Sequence, residues 1–137
     1  MTETTPRPRW ALAAVLIAVA FGIVTVFVGG ATLFRPPAAG NIVPFVLWFN
    51  FIAGFAYIIA GGGIFLWKRW AARLSAMIAI MTTAVFVALG IYILLGGAYE
   101  PRTIGAMTIR SLVWIVIAVA TCRALGCLPR PKAARRL

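Results

Sequence analysis

Histidine and aspartate are missing from this chain, and its 137 residues include only two acidic side chains, Glu3 and Glu100. Neither lies within a long apolar stretch. Acid–base catalysis needs a positioned proton donor and acceptor, and nucleophilic catalysis needs a nucleophile with an activating base. One subunit has too few such groups to assemble either, so no enzyme is expected. Zinc and haem sites need imidazoles, carboxylates or clustered thiolates, so no metal and no cofactor are expected. Proton-coupled transport needs a titratable group inside the membrane and is disfavoured on the same inventory.

Cysteine is nearly as scarce. Cys122 and Cys127 are the only two, and their C-x4-C spacing fits neither a redox C-x-x-C motif nor a complete metal site. Both fall on the side assigned below to the reducing cytoplasm, where structural disulfides are rare. They are expected to be packing residues rather than a bridged pair.

What the chain has in abundance is apolar sequence, with 64% of its residues hydrophobic against the about 45–50% usual for soluble domains. Four apolar stretches fill it at about 10–34, 44–67, 71–96 and 105–124. A bilayer core about 30 Å thick is crossed by roughly 20 helical residues. The expected fold is therefore all-α: a polytopic membrane protein whose four transmembrane helices form one antiparallel bundle. Residues 1–9 form an N-terminal tail and residues 125–137 a basic C-terminal tail.

A cleaved secretory signal is the rival reading of the first stretch, since Arg7 and Arg9 precede it and Ala38, Ala39 and Gly40 follow it. Signal-peptide apolar cores run about 7–15 residues, and this stretch is longer. Retention as a true span is expected.

Basic residues set the orientation. The chain has 13 Lys and Arg and a formal charge of +11. Arg7, Arg9, Lys68, Arg69, Arg73, Arg123, Arg130, Lys132, Arg135 and Arg136 fall on one face of the expected bundle, and only Arg35, Arg102 and Arg110 on the other. By the positive-inside rule both termini are cytoplasmic. Lys68, Arg69, Arg73, Arg130, Lys132, Arg135 and Arg136 are then expected at anionic lipid headgroups, and no nucleic-acid partner is expected despite the charge.

Small residues point to helix packing. Ala11, Ala14, Ala18, Gly22, Thr25, Gly29 and Thr32 recur at spacings of three and four in the first stretch. Lipid is as apolar as leucine, so membrane helices associate by close backbone approach along such stripes. In the second stretch Asn50, Gly54, Tyr57 and Gly61 share a face expected inward, and Trp48, Ile52, Phe55 and Ile59 a face expected outward.

Few polar groups remain for a site. An unpaired amide in hydrocarbon costs several kcal/mol, so Asn50 is expected to bond Thr82, Thr83 or Ser111. Arg110 lies within the fourth stretch rather than at its mouth, and Glu100 is the acidic side chain on that side. Asn50, Tyr99, Glu100 and Arg110 are expected to form a polar cap near the outer leaflet. The expected function is association with other membrane proteins or lipids, as an accessory subunit or assembly factor, in a cell membrane taken to be the bacterial inner membrane. An oligomeric channel or carrier for a small solute or anion is the alternative.

Overall fold

The computed structural model describes residues 7–34 and 42–127. They form four α-helices, α1 (Arg9–Phe34), α2 (Pro44–Phe65), α3 (Arg69–Leu94) and α4 (Pro101–Thr121), and α4 continues into a π-wound turn, Cys122–Gly126. Each helix is long and apolar enough to cross a membrane. The fold is all-helical and of the multi-pass membrane type. Arg35, Arg130, Lys132, Arg135 and Arg136 lie outside the described residues, so the headgroup role expected of the last four is not addressed by the fold.

Helix ends differ from the hydropathy boundaries because turn chemistry, not apolarity, fixes them. At the end of α2 the Trp67 and Lys68 amides donate to the Ile64 and Gly63 carbonyls, closing a Schellman motif. Trp67 holds the left-handed position at φ 56° that glycine usually fills. The connection to α3 is thus only Leu66–Lys68, and Arg69 and Arg73 are helical rather than part of the turn. The end of α3 repeats the motif with Gly96, at φ 89°, and Gly97 bonding Ile93 and Tyr92. Helix α4 starts four residues before the apolar stretch does, because Pro101 occupies its first turn, where a missing N–H leaves nothing unsatisfied.

The closest packing is between α1 and α2. Helix α1 buries Ala11, Ala14, Ala18, Gly22, Thr25 and Gly29, whereas Thr32 is only half-buried. Gly29 meets Phe51, Gly22 meets Gly54 and Ile58, and Gly61 meets Val15, Ala18 and Val19. At Gly22 and Gly54 there is no room for a side chain. A methyl group on Gly22 would lie 2.8 Å from the Gly54 carbonyl oxygen, and one on Gly54 would lie 3.1 Å from that of Gly22. Trp48, Ile52, Phe55 and Ile59 of α2 point outward.

Helices α2 and α3 pack together, as do α3 and α4, whereas α1 and α4 barely touch. The main core joins Ala14, Ala18, Tyr57, Ile64, Ile78, Trp114 and Ile117, and a smaller one joins Val43, Val46, Leu89 and Met107. The α1–α4 seam is therefore the loosest edge of the bundle.

The cysteine expectation is corrected. Cys122 and Cys127 are joined by a disulfide, with Cα atoms 4.7 Å apart. Residues five apart on an α-helix point about 140° away from each other at 3.6 residues per turn. The π-wound turn Cys122–Gly126, with its i to i+5 repeat, brings them back onto one side.

Candidate functional site

The buried face of α4 is built by helical spacing. Met107, Arg110, Ser111, Trp114, Ile117, Ala118 and Thr121 recur every three or four residues and are all buried. That periodicity directs Arg110 inward. It is only 9% exposed, so this charged side chain sits inside the bundle and not at a rim.

Across the α1–α4 seam the Arg110 Nη2 donates to Thr25 Oγ1 at 3.3 Å. Nη1 approaches the Met107 sulfur, one turn earlier on α4, at 3.6 Å. The Nε of Arg110 is buried with no hydrogen-bond partner. At a rise of about 1.5 Å per residue, Arg110 is about 13 Å along α4 from Pro101, and Thr25 is about 13 Å from the Phe34 end of α1. Both lie well below a headgroup layer if the helix ends mark the hydrocarbon edge.

Aromatic and hydroxyl groups complete a polar layer at similar depth. Tyr57 of α2 and Trp114 of α4, both fully buried, stack with ring centroids 4.7 Å apart. The Trp114 Nε1 and Ser111 Oγ are buried without a hydrogen-bond partner, and the Tyr57 hydroxyl and Thr82 Oγ1, both buried, lie near each other outside ideal hydrogen-bond geometry. Other hydroxyls in the bundle are satisfied locally. Ser75, Thr83, Thr108 and Thr121 donate to the carbonyl four residues back, as membrane serines and threonines commonly do. Arg110 Nε and Trp114 Nε1 can only donate, whereas the hydroxyls can donate or accept.

The expected polar cap takes a different form. Arg110 reaches Thr25 and Met107, so its side-chain hydrogen bonds go to α1 and its own helix. Glu100 immediately precedes α4, about 15 Å along the axis from Arg110. Tyr99 is partly exposed. The Asn50 Oδ1 is buried without a partner, and so are the Thr82 and Ser111 hydroxyl oxygens, whereas the Thr83 hydroxyl is committed to Ala79. The bonds expected from Asn50 Oδ1 to these three are therefore not formed. For Thr83 the reason is local, since its hydroxyl turns back on its own helix.

Sequence reasoning placed Thr25 among packing residues and left Trp114 out. The signal was present. Trp114 is four residues after Arg110 and Met107 three before it, so all three share a face of α4.

Two clefts of similar size open on the bundle surface. One, of about 300 Å³, is lined by Ala20, Phe21, Val24, Thr25 and Arg110, placing it in the α1–α4 seam. The other, of about 280 Å³, lies between α3 and α4 and has an apolar lining. Only the first is floored by a buried charge. Comparison with protein families, curated proteins and solved structures gave no match.

At the opposite end of α1, Arg7 lies over the Phe65 ring at 4.8 Å and Trp10 packs against Trp67 at 6.1 Å. Cys122 Sγ lies 3.8 Å from the Ala72 carbonyl. Lys68, Arg69 and Arg73 are exposed there.

Proposed function

We propose that this chain is a multi-pass protein of the cell membrane that works without a catalytic centre, by holding another membrane component in the seam between α1 and α4. An accessory subunit or assembly factor acts in this way. In this reading the helices are antiparallel and both termini are cytoplasmic. Support comes from the α1–α2 contacts, which pair rising residue numbers with falling ones. Further support comes from Arg7, Lys68, Arg69, Arg73 and Arg123, which the contacts near Phe65, Trp67 and Ala72 gather at one end, as the positive-inside rule requires of a cytoplasmic face.

One observation carries the binding role: Arg110, 9% exposed, faces Thr25 across two helices that barely touch. An arginine at the centre of a membrane helix costs roughly 2.5–3.5 kcal/mol on insertion scales, and more on an isolated helix. An interhelical hydrogen bond returns about 0.6–2 kcal/mol. The bond to Thr25 and the weak contact with sulfur do not offset that cost, and a residue kept at such expense is a functional one by default.

Photo-crosslinking in native membranes tests the reading. A photoreactive residue replacing Val24 is expected to give a discrete adduct, and one replacing Val87, on the outer surface of α3, only diffuse lipid labelling. Identical labelling at both positions refutes the proposal. Solute flux through proteoliposomes that disappears in Arg110→Ala makes the chain a carrier instead.

A further inference from the structure

We infer that the α1–α4 cleft binds a membrane-dissolved amphiphile with one carboxylate head and one apolar chain, the carboxylate on the Arg110 guanidinium and the chain along Val24, Phe21 and Ala20. The inference rests on the binding role proposed above and names the chemistry of its ligand.

Charge decides the head group. Helices α1–α4 contain no aspartate or glutamate, so no countercharge for Arg110 lies on any of them. Its Nε is buried and unpartnered, and its Nη2 bond to Thr25 is long at 3.3 Å. A guanidinium presents paired N–H donors in a planar fork that matches the two oxygens of a carboxylate. Charge-assisted bonds of this kind are roughly twice as strong as neutral ones, and a low-dielectric setting strengthens them further. Such a ligand also brings a charged acceptor, where the surrounding hydroxyl oxygens offer only neutral ones.

Shape decides the rest. Polar groups stand at one end of the cleft, where Thr25 and Arg110 face each other, and Val24, Phe21 and Ala20 continue it along α1 as a purely apolar wall. Val24 is 60% exposed, so the cleft opens sideways to lipid. Its volume of about 300 Å³ is at the low end of the roughly 300–1,000 Å³ usual for small-molecule sites. That admits one chain and not two.

The test uses the full chain in bilayer discs, with 15N-labelled arginine and carboxyl-13C oleate. Solid-state NMR is expected to show carbon–nitrogen dipolar dephasing for the wild type that is lost in Arg110→Gln, which keeps the arginines at the membrane edges as an internal control. Oleate affinity is expected to fall at least about tenfold, the loss expected for one charge-assisted hydrogen bond. Val24→Trp fills the cleft from its lipid side and leaves the Arg110 side chain itself unchanged, and is expected to abolish binding even if Arg110→Gln does not fold. Unchanged dephasing in Arg110→Gln, or competition by oleyl alcohol as strong as by oleate, overturns the carboxylate site. Competition by phosphatidylglycerol overturns the single-chain assignment. A discrete Val24 crosslink without oleate binding rejects this ligand and leaves the binding role standing, whereas loss of the crosslink removes both.

Discussion

Arg110 on α4 and Thr25 on α1 meet through a 3.3 Å hydrogen bond between two helices that otherwise scarcely touch. Eighty-five residues separate them in sequence. The bond is thus both a tie across an open seam and the floor of a cleft. The two roles respond differently to substitution.

As a tie, the bond has a measurable energy. Thr25→Val keeps the shape and removes the acceptor, and is expected to lower stability in detergent by about 1–2 kcal/mol. Thr25→Ser keeps the oxygen and is expected to restore most of that. Equal thermal unfolding of Thr25→Val and wild type dismisses the bond as a stabilising element.

Backbone approach between α1 and α2 makes a sharper prediction. A methyl group on Gly22 meets Ile58 Cγ1 at 2.6 Å and a carbonyl oxygen at 2.8 Å, whereas one on Gly62 meets nothing within 4 Å. Gly22→Ala is therefore expected to destabilise by about 1–3 kcal/mol, the usual range for overpacking. Gly62→Ala is expected to be neutral or slightly stabilising, since alanine is the better helix former. Comparable unfolding midpoints for the two variants contradict the packing.

The stacked pair in the core separates shape from polarity. Tyr57→Phe removes a buried hydroxyl whose neighbour Thr82 stands outside ideal hydrogen-bond geometry and leaves the ring on Trp114, so stability is expected to hold or rise. Trp114→Ala opens a cavity and is expected to lose about 3–5 kcal/mol. A marked loss in Tyr57→Phe shows that the Tyr57 hydroxyl and Thr82 form a stabilising hydrogen bond.

Orientation and the cysteine pair are tested together. With Cys122 and Cys127 replaced by serine, Lys68→Cys is expected to react with an impermeant maleimide in inverted vesicles and not in intact cells. In the otherwise native chain, trapping thiols at the moment of lysis is expected to find Cys122 and Cys127 reduced in cells, with the bridge seen here forming on mild oxidation. Reaction of Lys68→Cys from outside, together with a bridge that persists in cells, reverses the topology, because disulfides last in oxidising compartments.

Several elements were legible because their causes are local. Pro44 opens α2, and the small-residue stripe of α1 is buried along almost its full length. The extent of α4 was not legible from hydropathy, since the polar first turn Pro101–Thr103 reads as loop until it is seen to be helical. The disulfide was missed because the C-x4-C spacing and the assigned cytoplasmic side argued against a bridge, and the π-wound turn that brings the two residues together leaves no spacing signal.

Composition and periodicity by themselves determined that this chain is four apolar helices, which of their faces pack, and that no carboxylate lies within them, because burial in hydrocarbon acts on each segment separately. Only the tertiary structure decided that Arg110 faces Thr25, that Asn50 Oδ1 and the Thr82 and Ser111 hydroxyls do not bond one another, and that the bundle is loosest between its first and last helices. Those outcomes depend on the relative height and rotation of packed helices, which side chains on both partners set jointly and no single stretch of sequence specifies.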